Sequence, residues 1–199
     1  MILVDYDGVV VNTNQRMKEY LDKSGYSFYP ENVTRYDYSG KIGVCRSIVY
    51  NCFSQPDFYL GDWKYYDGAI SALRLLSNVD DEVKIWTQIL SCNKNVQTNR
   101  CKKLYELQEL CPELCNPDIT LGTGRKPIYA RVSAIFDDCL DNLQMYVTAG
   151  VKTKLFLIDQ PYNKEENNKG YSFGKFIRVK SLLEGAEMYL NEAVKKEAV

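Results

Sequence analysis

Histidine is absent from all 199 residues. Its absence rules out Ser-His and Cys-His nucleophilic pairs, imidazole acid–base work and imidazole metal ligands. None of the seven cysteines forms a CxxC pair. Cys111 and Cys115 stand four apart and could share a helix face, but with no histidine to complete a site they read as packing residues, not zinc ligands. Long apolar runs are also missing, which argues against a membrane span. Charge of one sign is not in excess: the net charge is -1, so neither a nucleic-acid backbone nor an anionic membrane is expected as the main partner. An odd cysteine count and an aspartate as early as position 5 predict no secretory leader, reduced thiols and a cytoplasmic location. Any hydrolytic chemistry is left to carboxylates, lysines and hard, oxygen-bound metal ions.

What is present suits one α/β domain with an inserted subdomain, since 45% of the residues are hydrophobic. Short apolar strands are expected at residues 1–6, 83–86, 134–136, 154–158 and 176–179. Helical spacing is expected over 14–24, 42–53 (broken by Pro56), 69–76, 95–110 (stopped by Pro112) and 181–194. Alternation of this kind predicts a Rossmann-like parallel sheet with helices on both faces. A small, mainly helical cap is expected as an insertion after the first strand. The expected division is a core of 1–13 and 68–199 and a cap of 14–67. No internal repeat or low-complexity segment is visible.

In parallel sheets ligands bind beyond the C-terminal ends of strands. Ile2-Leu3-Val4 delivers Asp5 and Asp7, then Gly8; Lys84-Ile85-Trp86 delivers Thr87; Ala134-Ile135-Phe136 delivers Asp137 and Asp138. Carboxylates gathered in one crevice repel one another unless a cation joins them, and Mg²⁺ suits an all-oxygen site. Lys126, in Thr123-Gly124-Arg125-Lys126-Pro127, is the candidate to complete an anion site. Mg²⁺, a lysine, a hydroxyl and backbone amides facing one point make a phosphoryl site. Taken singly each feature has a plain reading. An Asp-x-Asp is usually a turn or a cap, threonine is common in strands, and lysine is common on surfaces. Asp141 and Asn142 read first as helix caps. Residues 164–169 read as a solvated loop. The stretch 121–126 is not GxxxxGK[ST].

Taken together, the motifs resemble a known family. DYDGVV resembles the first motif of the haloacid dehalogenase-like phosphatases, KIWT their second, Lys126 their third and IFDDCLDN their acidic fourth, in the same order over residues 1 to about 142. FDDCLDNL, LFLIDQPYN and RVKSLLEG are similar to strings in the 5'(3')-deoxyribonucleotidase group. The resemblance implies an aspartyl-phosphate mechanism. Asp5 would be the nucleophile, and Asp7 would protonate the leaving alkoxide and then deprotonate water. Asp5, the Asp7 carbonyl and the Asp137/Asp138 pair would hold Mg²⁺, Thr87 would hold the phosphoryl oxygens, and Lys126 would offset charge. The two neighbouring aspartates would thus need different protonation states. Gln88 would offer its backbone N–H to the phosphate, although relatives of the deoxyribonucleotidase type often have smaller residues after the threonine. Arg125 beside Lys126 leaves the third motif open to a one-residue slip.

Between Tyr20 and Tyr66 lie 13 of the chain's 25 aromatic residues, an enrichment in the expected cap. Aromatic faces stack on bases. Tyr26, Phe28, Tyr36, Tyr38 and Trp63 are therefore candidates for a substrate pocket, against the plainer reading that a small cap needs them for its own core. The expected substrate is a small phosphomonoester, a (deoxy)ribonucleoside monophosphate. A basic groove that would favour a polynucleotide is not seen. Alternatives are a phosphatase for another small ester or a nucleic-acid 3'-phosphate, a receiver-like domain, or an inactive binding protein.

Overall fold

The computed structural model describes residues 1–59, 64–79, 82–89, 96–111, 118–121 and 126–197. Its strands are β1 (Ile2–Val4), β2 (Val83–Ile89), β3 (Asp118–Leu121), β4 (Ala134–Asp137), β5 (Lys154–Ile158) and β6 (Ile177–Val179). They form one six-stranded sheet in the order β3-β2-β1-β4-β5-β6, and every pairing is parallel. The helices are α1 (Thr13–Lys23), α2 (Arg46–Cys52), α3 (Ala69–Ser77), α4 (Val96–Leu110), α5 (Leu140–Thr148) and α6 (Leu182–Glu197).

Strand periodicity explains the layers. Ile2, Val4, Ala134, Phe136, Phe156 and Ile158 face one side, where Leu73 and Leu76 of α3 and Leu182 and Ala186 of α6 cover them. Leu3, Ile135, Leu155 and Leu157 alternate with them and face Leu143 and Tyr146 of α5. Phe136 stacks on Phe156 at 4.5 Å. Because both faces are covered, the central strands are apolar throughout, as a parallel sheet requires.

The strand order reverses between β1 and β4, so the crevice where ligands bind lies above the C-terminal ends of these two strands. Past Val4 the backbone leaves the sheet in a tight loop: Val10 and Val11 N–H both donate to the Tyr6 carbonyl, and Gly8 N–H donates to Val11. Gly8 has φ +83°, and a Cβ there would lie 2.1 Å from Asp138 Oδ2. Only glycine fits.

Between β1 and α3 a separate apolar cluster forms from Met17, Leu21, Phe28, Val33, Ile42, Val49, Cys52 and Phe58, joined by Tyr162 of the sheet domain. The two connections to this insertion run side by side. Asn12 N–H donates to Lys64, Tyr66 N–H donates to Val10, and Val11 bridges Tyr65.

Three expectations about elements differ from the structure. The helix expected at 42–53 starts only at Arg46, because Gly43 is in the left-handed region and a Cβ there would meet the Ser27 carbonyl at 2.1 Å. β2 does not end at Thr87 but runs on to Ile89, where β3 pairs with it; the four-residue β3 was not anticipated. Asp141 and Asn142 are not caps: Cys139 is the N-cap of α5. Pro112 and Cys115 lie outside the described residues. Among those described, no helix is long and apolar enough to cross a membrane.

Candidate active site

Asp5 follows β1 directly and is buried. Its Oδ1 accepts the Tyr6 N–H at 2.7 Å and lies 2.8 Å from Lys126 Nζ. The same ammonium is 3.5 Å from Asp137 Oδ2 and 4.5 Å above the Trp86 ring. Asp137 is engaged on both oxygens: Oδ1 accepts the Cys139 N–H at 2.7 Å, and Oδ2 accepts the Asn142 side-chain amide at 2.9 Å. Asp138 accepts the Tyr162 hydroxyl on Oδ2, while its buried Oδ1 has no hydrogen-bond partner.

Burial drives the electrostatics. It raises the Asp5 carboxyl to about 7, with Asp137 and Asp7 adding to the rise and Lys126 opposing it. Burial also lifts Asp138 well above the carboxylate range, again helped by Asp5 and Asp137. Burial alone would depress Lys126, but Asp137 and Asp5 outweigh it and raise its pKa. Burial and mutual repulsion thus oppose ionisation of these carboxylates, and a cation placed among them would relieve both. Asp5, Asp137 and Asp138 offer oxygens all within 4.8 Å of one another. This donor set fits a hard divalent ion such as Mg²⁺, and sulfur and nitrogen ligands are absent from it.

Asp7 is turned away from this triad. Its Oδ2 accepts from Lys103 Nζ at 2.5 Å and from the Thr87 hydroxyl at 3.1 Å, and its Oδ1 accepts from Thr13 at 3.3 Å. Burial pushes Asp7 up, but the Lys103 charge and both hydrogen bonds win and hold it below the usual carboxylate value. While Lys103 and Thr87 hold it, these contacts favour the ionised form of Asp7.

The loop after β5 braces the site. Gln160 donates to the Gly8 carbonyl at 2.8 Å and to the Tyr66 hydroxyl at 3.0 Å. Asn163 donates to the carbonyls of Asp138 at 2.9 Å and Ile158 at 2.7 Å. Above lies a cavity of about 830 Å³, lined by Asp5, Asp7, Lys126 and Asp138 at its floor and by Tyr36, Tyr38, Tyr50 and Phe53 from the insertion.

No protein-family model and no curated protein matches the chain. Solved structures do. A D,D-heptose 1,7-bisphosphate phosphatase from B. bronchiseptica, complexed with magnesium and phosphate, is 16% identical, with 96% of this chain and 98% of that chain covered and a TM-score of 0.54. A haloacid dehalogenase-like hydrolase from Streptococcus pneumoniae is 14% identical over 94% and 97% of the two chains, TM-score 0.57. A superfamily hydrolase from Ehrlichia chaffeensis is 11% identical over 96% and 95%, TM-score 0.51. The chain has the haloacid dehalogenase-like fold.

Within that fold the expected residues fall into three groups. Asp5, Asp137, Asp138 and Lys126 converge on one point, and Asp7, Thr87 and Gln88 adjoin it. Tyr36 and Tyr38 line the cavity, as expected; Tyr38 holds a left-handed φ of 55°, a conformation that non-glycine residues adopt at a cost, and its hydroxyl donates to Asn14 at 3.2 Å. Two candidates do not reach the cavity. Phe28 is fully buried in the insertion's own cluster, where packing claims it, and Tyr26 is exposed just after α1. Trp63 and Arg125 lie outside the described residues.

Lys103 was missed, along with Glu106, Asn142, Gln160 and Tyr162. A signal existed for the first two. Asn99, Lys103 and Glu106 are spaced i, i+4, i+7 on α4, so one face of that helix is polar, and all three are buried. A polar stripe pointing inward marks a site.

Proposed function

We propose that the protein is a Mg²⁺-dependent phosphomonoesterase that works through an aspartyl-phosphate on Asp5. One observation carries this reading: three buried carboxylates and Lys126 converge at the mouths of β1 and β4, beneath a cavity with aromatic walls. Mg²⁺ would be held by Asp5, the Asp7 carbonyl and Asp138, whose Oδ1 is the unpartnered oxygen, and it would supply positive charge to the phosphoryl oxygens. Asp137, engaged by Cys139, Asn142 and Lys126, supports that arrangement from behind. Asp5 attacks phosphorus, the ester P–O bond breaks, and the departing alkoxide takes a proton from Asp7, which has first picked that proton up from solvent on leaving Lys103. Asp7 then accepts a proton from the water that attacks the aspartyl-phosphate, and inorganic phosphate leaves. Lys126 compensates the charge of the nucleophile and phosphoryl group.

The substrate we infer is a (deoxy)ribonucleoside monophosphate. Tyr36, Tyr38, Tyr50 and Phe53 in the cavity wall support it, since aromatic faces accept a base, as does the likeness of the motif strings to deoxyribonucleotidases. A sugar phosphate is the second reading, favoured by the polar wall of Asp141, Asn142, Gln144 and Thr148 on α5. The core is residues 1–13 and 68–199, with 14–67 as the cap, and the protein acts in the cytoplasm. The test is phosphate release from deoxy and ribo 5'- and 3'-monophosphates and from sugar phosphates, with Mg²⁺ and with EDTA. Mg²⁺-dependent release from nucleotides supports the proposal, release from sugar phosphates alone replaces the substrate, and no release from any ester defeats it. Asp5→Asn should still fold and lose at least about 10³-fold in turnover, since the attacking oxygen is gone.

A further inference from the structure

Lys103 is 1% exposed, and lysine is almost never fully buried unless its charge is paired. It reaches from α4 to the end of β2. Its Nζ donates to Asp7 Oδ2 at 2.5 Å, to Thr87 Oγ1 at 3.2 Å and to the Gln88 carbonyl at 3.5 Å. The Thr87 hydroxyl donates to that same Asp7 oxygen at 3.1 Å. Two donors, one cationic, thus converge on a single anionic oxygen in a buried corner. That corner is built to hold an oxyanion, and the protein's own carboxylate fills it.

A phosphoryl oxygen makes the same demand on its surroundings as Asp7 Oδ2 does. Thr87 is fully buried, and the two groups bonded to its hydroxyl, Asp7 and Lys103, both line the cavity. An incoming ester therefore cannot reach Thr87 while Asp7 stays in place. Asp7 has room to leave, its side chain being 36% exposed, and Thr13, bonded to its other oxygen, offers it a pivot on the first turn of α1.

We propose that Lys103 is a second phosphate-binding cation, distinct from Lys126, and a catch for Asp7. In the free protein its ammonium and Thr87 hold Asp7. On substrate binding a phosphoryl oxygen takes over both donors and releases Asp7 toward the ester oxygen. The inference rests on the phosphomonoesterase reading above, and Lys103 would be a catalytic residue touching the transferred group. No covalent step is added; the exchange is one anionic oxygen for another.

The geometry makes two opposite demands on phosphate affinity, which a purely structural lysine would not. Inorganic phosphate would be titrated calorimetrically into the full chain with saturating Mg²⁺. Lys103→Met, similar in length but uncharged, should weaken phosphate binding by about tenfold or more, and Lys103→Arg should recover part of it. Asp7→Ala should tighten phosphate binding, because the internal competitor is gone. Unchanged phosphate affinity in a folded Lys103→Met overturns the proposal. Weaker binding in Asp7→Ala overturns the catch, and that test stands even where Lys103→Met fails to fold. If the unaltered protein neither binds phosphate nor hydrolyses any phosphomonoester, the phosphomonoesterase reading itself falls and takes this inference with it.

Discussion

Glu106 sits on α4 with its carboxyl buried, accepting the Tyr65 hydroxyl. Burial raises its pKa from 4.5 to about 8, against the opposing pull of the Tyr65 and Tyr6 hydroxyls and of Arg16 and Lys103. The sign of the consequence follows from proton counting. Between about 4.5 and 8 the folded chain holds a proton that the unfolded chain has released. Stability from this group is therefore complete below pH 4.5 and is lost as pH rises through about 8. Glu106→Gln keeps an acceptor for Tyr65 without the titration. Its melting temperature should fall less than that of the unaltered protein between pH 5 and pH 8, both measured with saturating Mg²⁺. Equal slopes would show that Glu106 is not the group responsible. Tyr65 is also the residue that bridges Val11 where the chain returns from the insertion, so this carboxyl ties α4 to that crossing.

At the scale of elements, each helix is held by the stripe it buries. α5 shows how this serves the site. Its first turn hangs from Asp137, which accepts the Cys139 N–H and the Asn142 amide. Its apolar stripe, Leu140, Leu143 and Tyr146, lies on Trp86, Ile135 and Leu157, with Trp86 and Tyr146 edge to face at 6.0 Å. Shifting this helix would shift a carboxylate of the acidic triad. Leu143 is fully buried, so Leu143→Ala should cost about 2–5 kcal/mol through lost burial and the cavity left behind. Urea denaturation with an unchanged m-value would read this directly. A loss under about 1 kcal/mol would mean that the helix closes over the gap.

For the whole molecule, the acidic triad sets a cost on the metal-free fold. Asp5 is raised to about 7 and Asp138 is raised as well, so the metal-free protein loses stability as pH climbs from the ordinary carboxylate range through about 7. A divalent cation reverses this by favouring the ionised forms, and it releases protons as it binds. Mg²⁺ at ten times its Kd should stabilise the protein by about 1.4 kcal/mol, or about 3–5 °C for a chain of this size. At one fixed Mg²⁺ concentration the shift should be larger at pH 8 than at pH 6, where protons compete and raise the Kd. Calorimetry with and without EDTA at both values would check it; equal shifts would place the ion away from these carboxylates.

What the amino-acid sequence determined by itself is local. Apolar triplets such as Ile2-Leu3-Val4 and Ala134-Ile135-Phe136 carry enough β-branched and apolar surface to be strands, and the aspartates that follow them sit at strand ends whatever the topology. Hence the parallel sheet, the acidic triad and Lys126 were legible in advance. β3 was not, because the polar–apolar alternation of Asp118-Ile119-Thr120-Leu121 is too short to stand out and the strand pairs only where β2 overshoots β1. Nor was the state of Asp7: its partner Lys103 is 96 residues away in the chain, and Asp138 and Tyr162 are 24 apart. Composition marked the insertion as aromatic, but only packing decided that Phe28 fills its core while Tyr36 and Tyr38 face the cavity. Burial and charge pairing depend on what the fold brings near, and that is where the protonation states of the site were set.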